Sequence, residues 1–101
     1  MDSIHQKLQS TIADIYRKAI DADRALDHLQ RDQKGKFQAI FPQDAGFETS
    51  NKRFGPYVQE VTTQWEASKS LEGAEFEQTL TSLVKKIELL LTTLSQFKAT
   101  L

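Results

Sequence analysis

The sequence predicts an all-α protein: a three-helix, up-down-up antiparallel bundle with a long first helix. Two amphipathic stripes and one substantial loop carry that prediction. Phe76, Leu80, Leu83, Ile87, Leu90, Leu94, Phe97 and Leu101 advance by 4, 3, 4, 3, 4, 3 and 4 residues, which places them on one face of a helix. Ile4, Leu8, Ile12, Ile15, Ala19, Ala22, Leu26 and Leu29 form a second stripe near the other end. Between the stripes, residues 42–50 concentrate the turn-forming types. Amphipathic helices of this kind are marginal alone in water, so they must bury their stripes against one another.

The first helix is expected over about residues 3–41. Asp2 and Ser3 are N-cap candidates. Lys7, Asp14, Arg17, Lys18, Asp21 and Arg24 lie opposite the apolar stripe, with Asp14–Lys18 and Arg17–Asp21 at i,i+4, pairs that contribute a few tenths of a kcal/mol. Gly35 could break this helix. Phe37, Ile40 and Phe41 nevertheless continue its spacing, and a helical Gly costs only about 1 kcal/mol against Ala. Pro42 then stops it.

In the loop, Phe47 stands alone among turn residues and is expected to tuck over the end of the core. The second helix spans about 51–69, with Phe54, Val58, Val61 and Trp65 on one face and Tyr57 flanking. Pro56 is tolerated only in a first turn, so the true start can be as late as Gly55. A connection over 69–73 leads to the third helix, about 74–100, in which Val84 and Leu91 widen the stripe. One domain, 1–101, accounts for the whole chain.

Composition narrows the classes of function. Of 101 residues, 39% are hydrophobic and 27% charged, values of a soluble globular domain rather than a disordered one. Thirteen basic against 14 acidic residues give a net charge of -1. Direct nucleic-acid binding normally shows as a strongly basic domain, so it is not expected. The absence of cysteine removes disulfides and thiol chemistry. No signal peptide and no apolar run of spanning length occur, which makes the cytoplasm the expected compartment.

No catalytic, metal or cofactor signature appears. His5 and His28 lack partners at metal-site spacing, and Asp23 and Asp27 beside His28 read as a solvated helix face. The candidates are for partner binding. Lys34, Lys36, Lys52 and Arg53, with Arg31, gather at one end of a helical hairpin and could meet phosphates or an acidic peptide. Tyr57 and Trp65 come from a dense aromatic stretch, and either could stand partly exposed as an interface anchor. Leu89 falls nearly opposite its helix's main stripe, and Ala13, Tyr16 and Ile20 make a second narrow apolar strip on the first helix. These point to a protein partner, with the chain itself a monomer or a weak homodimer.

The first amphipathic helix, the stretch Lys36-Phe37-Gln38-Ala39-Ile40-Phe41 and the leucine-rich helix from Leu80 to Leu94 resemble the N-terminal helical half of the primosomal replication protein N double prime family. That family's basic second half has no counterpart here. The resemblance implies a binding module, an accessory in DNA replication restart, with no catalytic residues. A second resemblance is to the all-helical chorismate mutases, through Arg17-Lys18-Ala19-Ile20-Asp21 with Arg24, Arg31 and Lys34. It implies an enzyme in which Arg17, Lys34, Arg53 and Gln96 converge on a dicarboxylate. The Arg-Glu pair that such enzymes carry on the second helix is absent, because Phe54 follows Arg53. The favoured expectation is a binding or adaptor protein without a cofactor.

Overall fold

The computed structural model describes residues 2–33, 40, 41 and 43–99. Helix α1 runs Asp2–Gln33, a short 3-10 turn occupies Gln43–Ala45, α2 runs Gly55–Ser68 and α3 runs Gly73–Ala99. Among the described residues there is no strand, and each helix packs against the other two. The molecule is elongated, 48 × 24 × 18 Å.

The stripes become the core. Leu8, Ile12, Ile15, Ala19, Ala22 and Leu26 of α1 meet Tyr57, Val58, Val61 and Trp65 of α2 and Leu83, Ile87, Leu90 and Leu94 of α3. Phe41, Phe47 and Phe54 join the same cluster from outside the helices, so Phe47 caps the core as its isolation in the loop suggests. Each fully buried large apolar side chain favours folding by about 1.5–3 kcal/mol, most of it offset by lost chain entropy.

The helix ends depart from the spacing. Ile40 and Phe41 do not continue α1: both lie in a bend, and the Ile40 N–H donates to the Asn51 carbonyl at 2.9 Å. A backbone donor turned to the loop is unavailable to a helical carbonyl four residues back. Gly35 and Pro42 lie outside the described residues. Helix α2 starts at Gly55, with Pro56 in its first turn where its missing N–H costs nothing. The polar residues before it form a turn instead, in which the Asn51 side-chain oxygen accepts the Arg53 N–H at 3.0 Å. Gly73 opens α3 at φ +60°, a conformation that favours glycine. On α1, Lys18 pairs with Asp14 at 3.0 Å as expected, but Arg17 turns back to Asp14 at 3.8 Å rather than forward to Asp21.

Candidate functional site

Buried polar groups, rather than any regular element, fix the path from Ile40 to Gly55. The first is Asp23. Its carboxylate accepts the Phe54 N–H at 2.6 Å and the Gly55 N–H at 2.9 Å. The N-cap residue of α2 is Phe54, which has no side-chain acceptor, so α1 supplies the cap from 31 residues away. Gly55 permits the approach, because a Cβ there would stand 3.2 Å from the Asp23 carboxylate. Asp23 is 7% exposed, which corrects its reading as part of a solvated face.

The second group is Tyr57. Its hydroxyl accepts the Asn51 N–H at 3.0 Å and donates to the Asn51 carbonyl at 3.2 Å, while its ring lies edge-on to Phe41 and Phe47. The third is Glu60, which accepts the Glu48 and Thr49 N–H groups at 3.1 and 2.6 Å and pairs with Lys86 of α3 at 2.9 Å. Lys86 also donates to Gln64 at 2.8 Å. Burial alone would raise the Glu60 carboxyl. The Lys86 ammonium, the Thr49 hydroxyl and N–H, and the Glu48 N–H outweigh it and hold the group at about 2.

These contacts decide what is left for a partner. Lys34 and Lys36 lie outside the described residues, as does the Arg31 side chain. Lys52 is exposed. Arg53 is drawn onto α1, 3.2 Å from Asp27 and 3.8 Å from Asp23, so its charge is met within the molecule. Tyr57 is fully buried by the aromatic cluster and is not a half-exposed anchor. Leu89 is half-buried against the core instead of standing free. The loop bearing Phe47 covers that side of α3, where Lys86 lies 5.9 Å from the Phe47 ring.

Trp65 is 8% exposed and lines the seam between α1 and α2 with Ile12, Ala13, Tyr16, Arg17 and Thr62. The open groove there has a volume of about 510 Å³. Lys69 lies 3.9 Å above the indole ring and is 3.5 Å from Glu66. The buried indole N–H has no hydrogen-bond partner among the described residues. Tyr16 is 58% and Ile20 38% exposed, so the narrow strip on α1 faces outward beside this groove.

Of the cations of a mutase-type pocket, Arg17 pairs with Asp14 and Arg53 with Asp23 and Asp27, while Lys34 lies outside the described residues. Gln96 is exposed. Among the described residues no group of three or more His, Cys, Asp or Glu side chains could hold a metal, and no helix is long and apolar enough to cross a membrane. No family model matches the chain, and neither the curated proteins nor the solved structures compared with it give a match.

The sequence reading missed Asp23 and the Glu60–Lys86 pair. A signal existed. Asp23 falls four residues after Ala19 and three before Leu26, and Lys86 falls three after Leu83 and four before Leu90. A charge on an apolar stripe is a buried charge in search of a partner.

Proposed function

We propose that the chain is a small cytoplasmic helical binding module, an adaptor whose docking surface is the α1/α2 seam around Trp65. One observation carries this reading: Tyr16, more than half exposed, stands beside a groove lined by a large indole. Aromatic side chains supply large contact area, and they are enriched where interfaces concentrate their energy. The candidate basic end offers less, because Arg53 is already neutralised by two carboxylates. An up-down-up course of the helices belongs to the same reading. The ring contacts of His5 with Phe76 and of Phe54 with Phe97, and the groove that Trp65 and Ile12 line together, support it. The resemblance to the primosomal N double prime family directs the search for a partner to replication restart, in which the chain would act as an accessory.

The test places a photo-crosslinking amino acid at Tyr16 and, separately, at Lys52, in living cells. Adducts from position 16 and none from position 52 are expected. Recovery of a replication-restart protein in the adduct would support the assignment of process. Adducts from position 52 alone would move the site to the basic end and overturn the seam.

A further inference from the structure

The α1/α3 seam holds a second groove, more enclosed than the one beside Trp65 and built on a different pair of helices. Ala22 and Leu94, both buried, line it together with Leu91 and Phe97. Its volume of about 370 Å³ lies near the lower end for ligand pockets, roughly 300–1,000 Å³, which suits a small molecule rather than a helix. Lys18, Asp21 and Lys98 supply its charges, and the three are not equivalent. Lys18 is already met by Asp14 at 3.0 Å. Asp21 is left without an ion pair because Arg17 turns back to Asp14. Lys98 likewise has no ion-pair partner among the described residues. One groove thus carries an unpaired carboxylate on α1 and an unpaired ammonium on α3, around an apolar lining. A simple anion would gain Lys98 but meet Asp21, and a simple amine would gain Asp21 but meet Lys98. A small molecule bearing both charges on one head, with an apolar body, suffers neither repulsion.

We propose that this groove binds a free α-amino acid with an apolar side chain. The ligand's ammonium group donates to the Asp21 carboxylate, its carboxylate accepts from the Lys98 ammonium, and its side chain lies on Ala22, Leu91, Leu94 and Phe97. Burial of that side chain supplies most of the affinity. Asp21 and Lys98 are both exposed, so each head-group contact contributes modestly and the binding is millimolar. The two charges select the ligand more than they hold it, since an apolar acid or amine of the same shape meets one repelling group.

Amide NMR titrations of the full chain test this. L-phenylalanine and L-leucine are the probes, with phenylpropionate and phenethylamine as analogues that lack the ammonium and the carboxylate. At least one amino acid is expected to shift the amides of Ala22, Leu94, Ser95 and Lys98 saturably. Each analogue should bind about threefold to fivefold more weakly than L-phenylalanine, the factor that an exposed charge contact supplies. Asp21→Asn should abolish the preference for L-phenylalanine over phenylpropionate, and Lys98→Gln the preference over phenethylamine. Both positions are exposed, so unchanged thermal melting is expected and serves as the folding control. Failure of both amino acids to give a saturable shift overturns the proposal, as do shifts confined to the α1/α2 seam. Equal binding of phenylpropionate makes the groove a site for apolar anions and overturns the role of Asp21, and with it the amino acid. A preference for L-phenylalanine that survives in both variants overturns the proposed contacts.

Discussion

Glu60 holds more of the molecule together than any other charged side chain described, since α2, α3 and the loop all meet at its two oxygens. Its carboxyl is lowered from 4.5 to about 2, so folding is favoured by its ionisation. That contribution is complete above pH 4.5 and is lost as pH falls toward 2. A shift of this size corresponds to about 3 kcal/mol at neutral pH. Urea unfolding of wild type should therefore show stability falling through that window, and Glu60→Gln should start lower and show a flatter acid limb. Identical acid limbs would remove Glu60 from the account. Trp65 behaves differently, because its buried N–H finds no partner among the described residues. Trp65→Phe removes no hydrogen bond to the described residues and keeps most of the buried ring, and should cost far less than Trp65→Ala, for which about 3–5 kcal/mol is expected. Denaturant midpoints of the two variants separate the cases. If Trp65→Phe costs as much as Trp65→Ala, the indole N–H has a partner after all.

Helix α2 is an element whose start is set by another element. Asp23→Ala would strip the cap from the Phe54 and Gly55 N–H groups, at a cost of about 1–3 kcal/mol, with faster hydrogen exchange confined at first to those amides. Arg53→Ala should cost less than about 1 kcal/mol, since Arg53 is 49% exposed and such pairs contribute little. A larger loss on Arg53→Ala than on Asp23→Ala would show that the ion pair, not the cap, positions α2. The limits of sequence reading follow from the same geometry. The stripes of α1 and α3 were legible because helical periodicity is local. The start of α2 at Gly55 was only bracketed, through Pro56, because its cap lies 31 residues away on another helix. The end of α1 was misjudged because the spacing of Ile40 and Phe41 fits a helix, whereas the Ile40 N–H is taken by Asn51.

At the scale of the whole molecule, the three seams of the bundle are not alike. The loop with Phe41 and Phe47 closes one side of α2 and α3 through Tyr57, Glu60 and Lys86, and the α1/α2 seam is left with the exposed tyrosine. The candidate site was legible only in pieces. Trp65 and the strip of Ala13, Tyr16 and Ile20 were each visible, but no spacing within a helix reveals that two helices will set them side by side. Arg53 looked like a free cation for the same reason, since Asp23 and Asp27 belong to a different helix. Replacing Ile20 by Ser should leave thermal stability within about 0.5 kcal/mol, as at other exposed positions, whereas Ile15→Ser, fully buried, should unfold much of the population at ambient temperature. Equal losses at the two positions, measured by circular dichroism melts, would mean that the strip belongs to the core.

The core draws Leu8, Ile12 and Ile15 from the start of the chain and Leu83, Ile87 and Leu90 from near its end into one cluster. During synthesis α1 leaves the ribosome with its apolar face complete and its partners not yet translated. At about 5–20 residues per second, that face stays uncovered for several seconds. The nascent α1 is thus an amphipathic segment open to chaperones and to sticking between neighbours on a polysome.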